Sequence, residues 1–337
     1  MYTKKITRFI ALLLSVTLLL SGCASSPSKA SGDSESGKEK KITFRLGHEM
    51  PEDHPYHLGS LKFADLVNEK SNGRYEIIVY PNSQLGKQAE LAEMVSANQL
   101  EFCLAWQGVL ESYDPDLGVI SLPFIFDNWK QVYSVVDGEI GDELFKGVEE
   151  KGIKVLTNFN NGLYNIVSTK LIDTPEDLKG VKLRVQSSAV FTATGELLGA
   201  VVTPLAFSEI YSALQLKAID AEIQGPINVR KSKHEEVAKY TCENNINFLL
   251  EPLMMSNDTF NSLSPEDQKI FLEAAHEAAV WQREDAERAD SEDKQYLIDS
   301  GMIYTVPDKQ AWIDASAPVY DKYPQWAEMV NKIKSAK

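Results

Sequence analysis

Apolar and polar positions alternate along residues 42–46, where Ile42, Phe44 and Leu46 are separated by Thr43 and Arg45, the pattern of a strand with one buried face. A helix is predicted next. Leu58, Leu61, Phe63, Leu66 and Val67 recur at near-helical spacing until Ser71, Asn72 and Gly73 stop it. Residues 75–80 read as a second strand, ended by Pro81 and Asn82, and this order of elements fits a right-handed parallel crossover. The alternation goes on with a helix over 88–97, a strand over 102–105, another helix and a strand over 153–159. Thr174, Pro175, Glu176 and Asp177 form a helix start, with a capping hydroxyl, a first-turn proline and acids that suit the helix dipole. A strand over 181–185 and helices over 188–198 and 210–216 follow.

Ser264 to Asp267 repeat that start signal and open a helix that runs to Asp299 without an internal proline or glycine. A helix of roughly 30 residues is ~45 Å long, enough to lie across two domains. Its apolar side is assigned to Ile270, Phe271, Ala274, Ala278, Trp281 and Ala289, with acids and bases opposite. The whole is α/β.

The beginning of the chain follows different rules. Lys4, Lys5 and Arg8 precede an apolar run over 9–20, too short at twelve residues to span a bilayer, which needs about 20. Residues 1–22 are a secretory signal. The tetrapeptide Leu20, Ser21, Gly22 and Cys23 resembles a bacterial lipobox, which implies cleavage before Cys23 and acylation of its thiol. Two or more acyl chains would hold the protein on the outer face of the cell membrane, where one alone binds marginally. Residues 23–40 are rich in Ser, Gly, Lys, Asp and Glu and have no large apolar side chain, the composition of a disordered tether.

Loss of residues 1–22 removes three basic and no acidic residues, leaving 31 basic against 49 acidic, a net charge of −18. Nucleic acid and anionic lipid surfaces are poor partners for such a body. Cys103 and Cys242 have no zinc-motif spacing and read as small buried hydrophobes. No phosphate-binding glycine loop and no nucleophile elbow occur, so neither a nucleotide cofactor nor a catalytic residue is assigned. His234 and His276 lie in charged helical surroundings and are expected to be solvated. The cluster of His48, Glu49, Asp53, His54 and His57 between the first strand and helix matches no metal motif. Its expected roles are a polar pocket and a helix cap, with Asp53 and Pro55 supplying the helix start.

The stretch over 178–226 is the most specific. Leu178, Lys179, Gly180, Val181, Lys182, Leu183, Arg184 and Val185 resemble the LKGxKLRV signature of the DctP family, the binding proteins of tripartite ATP-independent periplasmic (TRAP) transporters. Gly199 and Ala200, followed by the run from Thr203 to Gln215, resemble that family's GAxxTPxAFSExYxALQ segment, and Ile219 and Asp220 its VDG region. Earlier, His54-Pro55, Tyr80-Pro81, Gln84-Leu85-Gly86 and Leu122-Pro123-Phe124 fall where members have similar segments. The resemblance spans 41–300. It implies an α/β clamp of two lobes with a hinge and a long helix bridging both, lobe I being 41–161 plus about 250–289 and lobe II 162–249 plus about 290–337.

It also implies a ligand and a site. Arg184 corresponds to the arginine that grips a carboxylate, and a guanidinium offers a permanently charged planar fork for that purpose. At a strand end, Arg184 would point into the crevice where open α/β sheets bind ligands. The acidic body is no obstacle. Charges beyond about 8 Å are largely screened at physiological salt, while a contact pair at 4 Å in an effective dielectric near 20 gains roughly 4 kcal/mol before desolvation.

Phe207 corresponds to an aromatic that packs on the ligand, Gln224 to an amide, and Glu49 and Trp106 to ligand-contacting positions. Trp106 serves equally well as a core aromatic. Where many members carry a second arginine, this chain has Tyr164, which donates a hydrogen bond but brings no charge. A monocarboxylate such as a sugar acid is therefore favoured over a C4-dicarboxylate, with His48, Glu49 and Gln224 on its hydroxyls. The implied partners are a small organic acid and the membrane permease of a TRAP transporter. Two rival roles stand beside transport: a sensing lipoprotein that reports ligand to a membrane receptor, and an enzyme on a binding-protein scaffold, which the missing nucleophile and base disfavour.

Overall fold

The computed structural model describes residues 41–336. The expected signal peptide, Cys23 and the tether lie outside the described residues. Among the described residues, nine strands, β1 (Ile42–Gly47), β2 (Tyr75–Tyr80), β3 (Phe102–Leu104), β4 (Ile153–Ser168), β5 (Lys182–Val185), β6 (Val201–Pro204), β7 (Ala221–Gln224), β8 (Tyr240–Ser256) and β9 (Ile303–Thr305), form one sheet. Its order is β2-β1-β3-β8-β4-β7-β5-β6, with β9 on β8.

The helices are α1 (Pro55–Lys70), α2 (Gln88–Ser96), α3 (Trp129–Val136), α4 (Glu139–Glu149), α5 (Ala189–Leu197), α6 (Ile210–Gln215), α7 (Pro226–Lys231), α8 (Asn257–Ser262), α9 (Pro265–Asp299), α10 (Lys309–Ser316) and α11 (Ala327–Ser335). β1 pairs in parallel with β2 and β3 at one end of the sheet, and β5 pairs in parallel with β6 and β7 at the other. The predicted crossover is present. Between these ends, β4 and β8 run antiparallel for their whole length, so two long strands serve both halves of the clamp.

The largest core cluster joins both ends, from Leu91 and Val132 through Ile166 of β4 to Leu183 and Ala221, and two smaller clusters flank it. One cluster gathers Phe44, Leu46, Phe63 and Phe102 with Phe271, Ala274 and Ala278 from the first half of α9. Another gathers Val167, Ile210, Leu214 and Val229 with Leu297 from its last turn. At 35 residues, about 50 Å, α9 is long enough to reach both and bridges them. Ser264 caps it through a hydrogen bond from the Asp267 amide, as the sequence predicted.

Two expectations for helix faces are corrected. Trp281, placed on the apolar side of α9, is 38% exposed, whereas Gln282 and Arg283 are buried. Those two polar side chains serve the backbone of β4. Gln282 accepts from the Asn160 amide (2.7 Å) and donates to the Asn160 carbonyl (3.0 Å), while Arg283 donates to the Asn158 carbonyl (2.7 and 3.0 Å). The ladder between β4 and β8 is irregular there, with a register shift between Asn160 and Gly162, so α9 supplies partners that the neighbouring strand does not. In α1, Leu58 and Leu61 face outward, and Tyr56, His57 and Ser60 turn inward with Phe63 and Val67.

The capping role assigned near Asp53 falls to His54, whose Nδ1 accepts from the Tyr56 amide at 3.1 Å. Asp53 instead pairs with Lys231 at 2.6 Å. Thr174 to Asp177 form a capping box on a single 3-10 turn rather than a longer helix. His234, expected to be solvated, is buried against Glu222, and His276 is exposed as expected. Cys103 and Cys242 are both buried and free.

Candidate functional site

The site is built where strands end. β5 finishes at Val185, and the chain continues through Gln186 and Ser187 to Ser188, which caps α5 by accepting from the Val190 amide at 3.2 Å. β7 ends at Gln224, followed by Gly225 and the start of α7, and β1 leads through His48 and Glu49 toward α1. These ends, with the segment after β6 and the bulged middle of β4, surround a cavity of about 210 Å³. Of the seven expected site residues, Glu49, Trp106, Tyr164, Arg184, Phe207 and Gln224 line it. His48 is not in the wall: it is buried behind it, its Nε2 3.2 Å from Nδ1 of His57.

Arg184 is 3% exposed. Its Nε and Nη2 donate to the Leu205 carbonyl at 3.1 and 2.8 Å, and Nη1 has no partner among the described residues. Burial lowers the tendency of the guanidinium to hold its proton, and the negative charges of Glu222 and Glu49 oppose that shift. The group stays charged, as arginine does. A buried cation with a free donor calls for an anion, because an unpartnered buried charge is costly.

The facing wall is acidic and amide-rich. Glu49 accepts from Nε2 of Gln88 at 2.9 Å, and Oε1 of the same Gln88 accepts from the Trp106 amide at 2.7 Å. Burial pushes the Glu49 carboxyl above its usual range, against the pull of the Gln88 hydrogen bond and of Lys87 and Arg184. Trp106 fills both roles weighed for it: it lines the cavity and packs edge-on against Phe191 in the core, with centroids 5.6 Å apart.

Beneath the cavity lies a buried polar network. Tyr164 donates to Oδ1 of Asn161 (2.7 Å) and accepts from Nδ2 of Asn228 (2.7 Å), which also reaches Oε1 of Gln224 at 2.9 Å. Asn161 donates to Glu251 at 2.7 Å, and His54 joins Asn228 at 2.9 Å. The proton of Tyr164 is thereby committed inside the protein, and it is the ring that Tyr164 contributes to the cavity. Burial and then the charge of Glu49 push the Glu251 carboxyl far above its ordinary range.

Sequence reasoning passed over Lys87, Gln88, Asn161, Gln186, Ser187 and Asn228, which also line the cavity. Gln186 and Ser187 were within reach, since residues just past a parallel strand point into the crevice. Asn161 was not: it belongs to a bulge that no periodicity marks. Oε1 of Gln186, like Nη1 of Arg184, is buried without a partner, so the wall offers both a spare acceptor and a spare donor. Lys87, beside the cavity, pairs with Glu209 at 2.9 Å.

Fold and site together define a two-lobed α/β clamp of the type that encloses a small solute. The chain matches the model of the bacterial extracellular solute-binding protein family 7, DctP, over residues 46–325. It belongs to that family, the extracytoplasmic solute-binding proteins of TRAP transporters. The C4-dicarboxylate-binding protein DctB of Bacillus subtilis is 30% identical over 296 residues, which cover 86% of this chain and 85% of that one. A TRAP periplasmic solute-binding protein from Sulfitobacter sp. NAS-14.1, solved with bound β-D-galacturonate, is 31% identical with a TM-score of 0.83, covering 87% of this chain and 98% of its own. A counterpart from Roseobacter denitrificans with bound β-D-glucuronate is 29% identical with a TM-score of 0.84, covering 88% and 100%.

Proposed function

We propose that this protein captures a sugar acid with one carboxylate, of the hexuronate class, and delivers it to a TRAP permease. The observation that carries this is the single buried guanidinium, with one nitrogen unspent, in a wall whose other cation, Lys87, is exposed and already paired with Glu209. Arg184 takes the acid group, Phe207 and Trp106 pack on the ring, and Gln224, Gln186 and Glu49 take hydroxyls. A second carboxylate on the ligand would meet Glu49, so the C4-dicarboxylate reading is the less favoured one. The bound acids of the two solved relatives support the sugar-acid reading, and the name of the Bacillus relative supports its rival.

The two smaller core clusters fall one on each side and support lobe I as 41–161 plus about 250–289 and lobe II as 162–249 plus about 290–337, joined by the largest cluster and closing on the ligand, with the closed form favoured by contacts made only there. Export and lipid attachment through Cys23 rest on the sequence, and a Cys23→Ser variant released into the medium would support them. Binding without turnover separates this role from an enzyme. The decisive measurement is a thermal shift of the purified protein with D-glucuronate, D-galacturonate, succinate and amino acids. A true ligand at 100 times its dissociation constant adds about 2.7 kcal/mol of stability. Succinate as the best ligand, or no shift with either uronate, overturns the proposal.

A further inference from the structure

Behind the cavity wall lies a buried carboxyl–imidazole pair that has no part in the proposed contacts. Glu222 sits on β7 in register with Arg184 on β5, the two being neighbours across the parallel ladder. Its side chain is wholly buried. Oε1 lies 2.8 Å from Nδ1 of His234, while Oε2 has no partner among the described residues. His234 is buried too, and its ring lies against Phe207, which lines the cavity, with centroids 5.8 Å apart. The pair therefore touches the site from behind on both flanks, through the strand that carries Arg184 and through the ring beside the ligand.

A carboxylate this deeply buried needs a reason, because removing a charge from water is expensive unless it is compensated. The charge of Arg184 on the neighbouring strand offsets part of that cost through space, as Glu222 does for Arg184. The incoming acid must then compete with a negative charge already present one strand away. We infer that Glu222, held by His234, is a positioning residue that sets how tightly Arg184 retains an anion. The inference rests on the proposed role of Arg184. The other titratable groups around the pair are Tyr164 of β4, Glu235 and Glu236 of the turn that carries His234, Tyr211 of α6, which donates to Glu236 at 2.7 Å, and Lys239. All are retained in the variants below, so differences between variants isolate the pair.

The test uses the complete protein and D-glucuronate, with dissociation constants from calorimetry. Glu222→Gln should bind about tenfold tighter than the natural protein, equivalent to ~1.4 kcal/mol, while Glu222→Asp, which keeps the charge, should bind like the natural protein. Glu222→Gln no tighter than the natural protein overturns the inference. If that variant does not fold, Glu222→Met no tighter than the natural protein overturns it instead. A purely structural pair would lower the melting temperature without moving these constants. Thermal midpoints without ligand give an independent arm: Arg184→Met and Glu222→Gln combined should lose less than the sum of their separate losses. Simple additivity overturns the pairing even where D-glucuronate itself does not bind, an outcome that would count against the proposed ligand alone.

Discussion

Arg184 and Leu205 are joined at two points, Nε and Nη2 sharing one carbonyl, so the guanidinium plane is fixed and Nη1 is its one uncommitted arm. Lysine can keep the charge but neither the plane nor both contacts. Arg184→Lys should weaken ligand binding by about 2 kcal/mol or more, the usual cost of truncating a buried charged partner, with little change in the stability of the empty protein. Calorimetry beside thermal melts checks both halves of the statement, and unchanged affinity would remove Arg184 from its role.

Glu49 bears on selectivity. With its charge removed and its hydrogen-bonding shape kept, Glu49→Gln should raise affinity for a dicarboxylate such as D-glucarate at least about tenfold relative to D-glucuronate, since juxtaposed like charges cost up to several kcal/mol. Competition binding of the two acids reads the ratio directly. Equal effects on both would assign discrimination to another residue.

Part of the pH dependence of stability follows from His54, beside that of His48, which burial lowers to about 3. Burial, above all, lowers the value of His54 from 6.5 to about 4, against the favourable bond to Asn228. The unfolded chain therefore binds the extra proton between those two values. The contribution of the neutral ring is fully present above about pH 6.5 and is lost as the pH falls toward 4. His54→Asn retains a capping acceptor but cannot titrate, so its denaturation curves should lose less stability over this range, by up to about 1.4 kcal/mol per pH unit. Parallel slopes for the two proteins would show that another group governs the acid limb.

Gly162 adopts φ +103° at the irregular point of β4, and a Cβ built there meets nothing closer than Asp290 Oδ1 at 3.7 Å. Space is available, and only the backbone conformation resists a side chain. Gly162→Ala should cost about 1–3 kcal/mol, read as a lower urea midpoint at unchanged m-value. No loss would mean that the strand relaxes to a negative φ.

Several elements were legible before any coordinates. Ser264 and the uninterrupted run to Asp299 gave α9 to the residue, because capping and the lack of breakers are local signals. β8 escaped notice for a physical reason: it is buried along most of its length, so neither two-fold nor helical periodicity appears, and Asn244, Asn247, Glu251 and Pro252 disguise it as a loop. Several of these polar residues look inward. Glu251 meets Asn161 beneath the cavity, and Asn247 donates to the carbonyls of Ser121 and Leu122. Trp281 and His234 misled in opposite directions. Hydrophobicity alone favoured Trp281 over Gln282 on the inner face, yet the bulged strand needed an amide there. The charged neighbours of His234 masked the fact that its own partner lay twelve residues back, on a buried strand.

Because β4 and β8, bulged near Asn160 yet paired along their length, reach both ends of the sheet, the two ends are not hung from a slack connector. Any change in the angle between them is a flexure of paired strands, with α9 laid across the bend like a splint.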